Sequence, residues 1–115
     1  MGSAVDIMSH GPIRAHTLLN AVAVTGAGST VNAPCNPYRT FQLTGTTTAG
    51  AGAATVKVQV SNDNVVWIDL GTISLTLATT ASADAFKDVG AWVYVRGNVT
   101  SISGTGAAVT LMMGA

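Results

Sequence analysis

The chain has 115 residues, one domain's worth. Five basic and five acidic side chains give a formal charge of zero, and charged residues make up 9 % of the chain against a usual share of about 25 %. The basic residues Arg14, Arg39, Lys57, Lys87 and Arg96 are spread singly, so no stripe exists to follow a nucleic-acid backbone. There is no Glu, and Thr, Val, Ala, Ser and Gly dominate, a composition that favours strands and turns over helices. Few charges on a Thr- and Ala-rich surface also suit a protein built to be covered by others.

Residues 1–16 show neither strand alternation nor a helical face and read as an extended N-terminal arm, with the remaining domain over 17–115. Ile7, Met8 and Ile13 are poor choices for a solvated tail. Together with His10 and Arg14 they form a candidate contact for a neighbouring subunit. Asp6, His10 and Arg14 interrupt the first stretch, which therefore does not read as a secretion signal, and no apolar segment is long enough to span a membrane.

A first strand is expected over 17–25, ended by Gly26 to Ser29. After a turn through 32–37, the stretch from Tyr38 to Thr44 alternates, with Arg39, Phe41 and Leu43 on one face and Tyr38, Thr40, Gln42 and Thr44 on the other. Residues 45–52 read as a glycine-rich loop that lacks the Lys and helix start of a phosphate cradle. Val56, Val58 and Val60 alternate with Thr55, Lys57 and Gln59, and 55–70 reads as a hairpin turned by Asn62, Asp63 and Asn64. Ile73, Leu75 and Leu77 mark a further strand. Residues 78–90 read as a connection of small and polar residues with at most one helical turn, capped by Ser82. Alternation resumes over 92–99, a further strand follows through Ile102, and a last strand follows the turn at Gly104 to Gly106, over 107–113. Seven or eight short strands with turns about every ten residues predict an all-β fold, a small antiparallel β-sandwich of jelly-roll or immunoglobulin-like type.

The chemistry-bearing residues are sparse. Cys35 is the single cysteine, in a turn with no helix behind it, so it offers neither a disulfide framework nor an activated thiol. Asp63 reads as a turn-former, and Asp6, His10 and His16 match no metal-ligand spacing. No cofactor, metal site or catalytic set is expected, and the protein is not expected to be an enzyme. Trp67, Trp92 and Tyr94 are the large aromatics on strand positions near polar neighbours, suited to packing at the core rim, to a protein interface or to stacking on a sugar.

The hairpin VKVQVSNDNVVWIDLGTISLT resembles strand–turn–strand units of small virion proteins of tailed bacteriophages, through Ser61, Asp63, Trp67, Asp69, Leu70, Gly71, Thr72 and Ile73. Asn64 stands where glycine is usual, a position that Asn tolerates. WVYVRGNVTSISGTGAAVTLMMG is similar to the closing segment of the same proteins, and together the two stretches cover about half of the chain. The resemblance implies a capsid decoration (cement) protein on the outer surface of the head, made in the host cytoplasm, with itself as a homotrimer and the major capsid protein as partners, and makes Ile7, Met8, His10, Ile13 and Arg14 of the arm a candidate capsid contact as well as a subunit contact. No nucleic acid or membrane partner is expected. A phage tail or tail-fibre component is the alternative within that class. A related Ser-x-Asp hairpin occurs in carbohydrate-binding sandwiches, so a carbohydrate-binding module with glycan as partner is the alternative from another class.

Overall fold

The computed structural model describes residues 14–33 and 37–115. Among the described residues nine strands form two antiparallel sheets: β1 (Ala15–Val22), β2 (Gly26–Ala27), β3 (Val31–Asn32), β4 (Tyr38–Thr46), β5 (Ala49–Ser61), β6 (Ile68–Leu77), β7 (Ser82–Val89), β8 (Tyr94–Thr105) and β9 (Ala108–Gly114). Sheet A has the order β1-β9-β4-β7, and sheet B the order β2-β8-β5-β6, with β3 also on β8. The short β2 and β3 act as one interrupted edge strand, pairing Gly26 with Val99 and Val31 with Val95. Counting them as one leaves eight strands in two sheets of four, with β5 and β6 a hairpin within sheet B, which is the jelly-roll order and decides between the two expected sandwich types.

The core lies between the sheets and follows from the alternation of three strands. On β4, Phe41 and Leu43 point inward with Arg39; on β5, Val56, Val58 and Val60 are fully buried; on β9, Val109, Leu111 and Met113 face them. Each of these apolar side chains contributes about 1.5–3 kcal/mol by leaving water. Gly97 of β8 occupies an inward position because Leu19 and Leu111 fill the space in front of it: a Cβ there would lie 2.7 Å from Leu111 Cδ2 and 2.8 Å from Leu19 Cγ.

Several expected boundaries are corrected. β1 starts at Ala15, and Arg14 exchanges two backbone hydrogen bonds with Ala115, so the end of the expected arm belongs to sheet A. β1 ends at Val22 rather than at residue 25, after two register shifts against β9 and a positive φ at Ala21. Most of 45–52 is strand: β4 runs to Thr46 and β5 starts at Ala49, because a tight turn suffices when Thr47 Oγ1 donates to Gly50 O (2.6 Å) and Thr48 Oγ1 donates to Thr105 O (3.1 Å). The hairpin loop extends through Trp67, so Val65 and Val66 are not strand, and β6 is one strand across Gly71, where a bulge sets Val58 against Gly71 and Gln59 against Asp69. Likewise β8 is continuous from Tyr94 to Thr105, with a register shift near Thr55 and Val56.

The largest correction concerns 78–90. Ser82–Val89 is no helical turn but the edge strand β7, paired along its length with β4 from Tyr38↔Val89 to Gly45↔Ser82. Phe86 is its single large apolar anchor, with its ring centroid 5.1 Å from that of Phe41. Ala and Asp have low strand propensity, and pairing with β4 overrides it.

Candidate interaction surface

The two outward faces differ in chemistry. On sheet A the outward positions are Ala83, Ala85, Lys87 and Val89 of β7, Tyr38, Thr40, Gln42 and Thr44 of β4, alternate residues of β9 including Thr110 and Met112, and Ala15 and Thr17 of β1. Lys87 is the one charged side chain among them. A face so composed loses little when covered, since hydroxyls and amides are cheaper to take out of water than charges.

Sheet B presents instead a row of mutually bonded polar groups. Strand register sets Arg96 of β8, Gln59 of β5 and Asp69 of β6 side by side. Arg96 Nε donates to Gln59 Oε1 at 2.8 Å, Gln59 Nε2 donates to Asp69 Oδ1 at 2.9 Å, and Lys57 Nζ donates to Asp69 Oδ2 at 3.0 Å. The Gln59 amide and then the Lys57 ammonium hold the Asp69 carboxyl below the usual carboxylate range. The Arg96 guanidinium lies 4.1 Å from the centroid of the Trp67 ring.

The hairpin loop that carries Trp67 is tied to itself. Asp63 Oδ1 accepts from the amides of Val65 and Val66 at 2.9 Å each and from the Ser61 hydroxyl at 2.9 Å, while Ser61 Oγ accepts from the amide of Asn64 at 3.0 Å. The Val66 amide, then the Val65 amide, then Ser61 hold the Asp63 carboxyl low. Asn64 has φ 60°, the left-handed conformation expected of it in place of glycine. Asp63 is thus a turn-former, and Val65 and Val66 are held outward, 77 % and 64 % exposed.

The sequence-predicted residues fall in different places. Ile7, Met8, His10 and Ile13 lie outside the described residues, as does Cys35; Arg14 is exposed and anchored through its backbone to Ala115. Trp92 is half-buried and packed against the core, whereas Trp67 is half-buried under Arg96 and Tyr94 faces outward on β8 with Arg96. The three aromatics are therefore not presented as one open platform. That Arg96, Gln59 and Asp69 meet escaped sequence reasoning, although each occupies an outward position of an alternating strand. Arg39 falls on the inward face that alternation gives it, but its partner was missed: it is 3 % exposed opposite Asp88 of β7, and it is β7 that lies in the stretch read as a connection. Burial lowers the Arg39 pKa and Asp88 opposes the shift. Beside this pair a pocket of about 540 Å³ opens among Tyr38, Thr40, Lys87, Val89 and Gly114. Among the described residues no three His, Cys, Asp or Glu side chains converge as a metal site would require.

No family model matches the chain and no curated protein is similar to it. Among solved structures, the SPBc2 prophage-derived protein YomS superposes with a TM-score of 0.54 at 15 % identity, over 90 % of this chain and 93 % of YomS. XepA, an exported protein of PBSX, superposes with a TM-score of 0.52 at 15 % identity, over 88 % of this chain and 36 % of XepA. The likeness shows a shared fold. A CBM4 structure lies further off, with a TM-score of 0.47 at 11 % identity over 90 % of this chain and 67 % of that one, too distant to bear on function.

Proposed function

We propose that this chain is a structural protein of a bacteriophage particle, and specifically a decoration protein that binds the outside of the mature head and stabilises it. The observation that carries this reading is the outward face of sheet A, where four strands expose Thr, Ala, Gln and Met with Lys87 as the single charge. Such a face fits a broad protein contact, because interface cores are depleted of charge. The near full-length superposition on a prophage-derived protein and the virion-like hairpin around Asp63 support it.

The mechanism is mass action. A protein that binds the expanded lattice but not the compact one stabilises the expanded state by RT ln(1 + [L]/Kd) per site, about 2.7 kcal/mol when its concentration is 100-fold above Kd. No chemistry is required, only a rigid sandwich with a contact face, and self-association into a homotrimer would multiply the contacts. The glycan reading is disfavoured by the side chains it needs: Trp92 packs on the core, one face of Trp67 is covered by Arg96, and the polar groups beside it already bond one another.

The test is co-sedimentation with compact and with expanded empty heads assembled without the protein. Saturable binding to expanded heads alone is expected; binding to tails, or to neither particle, overturns the decoration reading.

A further inference from the structure

Strand register brings the start of β4, the end of β5, the end of β7 and the start of β8 to one end of the sandwich, through the pairs Tyr38↔Val89 and Ser61↔Tyr94. The chain passes from sheet A to sheet B there through residues 90–93, between β7 and β8; the Gly90 amide donates to Pro37 O at 2.8 Å beside the β4–β7 pair, and the Val93 amide donates to Asn62 Oδ1 at 3.2 Å beside the β5–β8 pair. Six exposed large apolar side chains collect at this end: Tyr38, Val65, Val66, Ile68, Val89 and Val93, between 45 % and 77 % exposed. The opposite end, formed by residues 47–51, 78–81 and 105–106, is built of Thr, Ala and Gly, and Val24 is the large apolar side chain exposed near it. This separation is not a feature of a lone soluble domain, since clustered exposed apolar surface marks contact sites.

We propose that this chain self-associates through the apolar end, which packs against the same end of a second copy. The partner is a second copy for two reasons. A contact between the apolar end and the far end would set valines against threonines and glycines, so among the described residues the apolar complement of this end is the end itself. The exposed charges around it also carry both signs, Arg14 and Lys87 against Asp63, so that two copies can set unlike charges together at the rim. The surface needs no ordering on contact, because the Asp63 carboxylate already fixes the Val65–Val66 loop. The inference rests on the self-association within the proposed function, not on head binding; Tyr38 and Val89 lie at the margin that this end shares with the outward face of sheet A, while Val65, Val66, Ile68 and Val93 lie off that face.

The experiment is sedimentation velocity over a wide concentration range on the full chain, on Val65→Lys/Val66→Lys, on Val93→Lys and on the far-end control Val24→Lys, with circular dichroism and thermal unfolding to establish that each is folded. Wild type and control are expected to associate with the same affinity, and the apolar-end variants to weaken it at least about tenfold. Association unchanged in both apolar-end variants overturns this surface and leaves self-association standing. A wild type that stays monomeric throughout overturns both, while head binding, measured separately, is untouched.

Discussion

The ring of Phe86 on β7 lies over Gly71 on β6, so close that a Cβ at 71 would come 2.7 Å from the ring's Cζ. One contact thereby links the edge of sheet A to the edge of sheet B at the β6 bulge, with Phe41 behind it. Gly71→Ala is expected to cost about 1–3 kcal/mol by overpacking. In the Phe86→Ala background the same substitution should cost much less, and a double-mutant cycle by urea denaturation measures the coupling. Equal cost in both backgrounds would contradict this contact.

Asp63 makes stability depend on pH. Its folded-state pKa is lowered by amide and hydroxyl donors, so its contribution is present above the unfolded carboxyl pKa and is lost as pH falls through the folded value. Asp69, lowered by Gln59 and Lys57, acts with the same sign. The melting temperature of wild type should therefore fall on acidification below about pH 4. Asp63→Ala should melt lower at neutral pH and lose less on acidification. Parallel curves for the two proteins would show that the loop does not hold the carboxylate.

Arg96 covers Trp67 and bonds Gln59 through the same guanidinium. Arg96→Ala is expected to lower stability by about 0.5–1 kcal/mol, the range for cation–π pairs at exposed sites, and to make Trp67 fluorescence more accessible to acrylamide. Arg96→Lys should recover little of this, because the planar stack and the Nε donor are both lost. Soluble sugars should leave the emission of all three proteins unchanged.

Leu111 lies at the centre of the core, fully buried in front of Gly97. Leu111→Ala should destabilise by about 2–5 kcal/mol. Gly97→Ala should cost less in this background than in wild type, since Leu111 no longer meets the new methyl and Leu19, whose Cγ it would approach to 2.8 Å, can shift into the vacated space. Chemical denaturation of the two single variants and the double variant checks the difference.

Much of the fold is legible where one face of a strand is buried. Phe41 and Leu43 place Arg39 on the inward face by alternation alone, and Val56, Val58 and Val60 identify β5 with the correct face. Legibility fails where pairing rather than pattern makes the strand. β7 has only Phe86 as an apolar anchor, and Gly71 reads as a break although it is a bulge beneath a ring. The jelly-roll order depends on pairs such as His16↔Met113, almost the whole chain apart, which local alternation does not encode. The site divides likewise. Asp63 as a turn-former follows from local chemistry. The Arg96–Gln59–Asp69 row and the collection of valines at one end need the register of strands far apart in sequence.

The outward face of sheet A, where Lys87 is the single charge, is tested most directly as the seat of head binding by one added acidic side chain. Ala85 of β7 is exposed opposite Gln42 of β4, and Ala85→Asp leaves the core untouched. Titrated against expanded empty heads, wild type should co-sediment to saturation while folded Ala85→Asp stays in the supernatant. Equal binding of both proteins would remove the face from the contact, and no binding of wild type to expanded heads would contradict the decoration function itself.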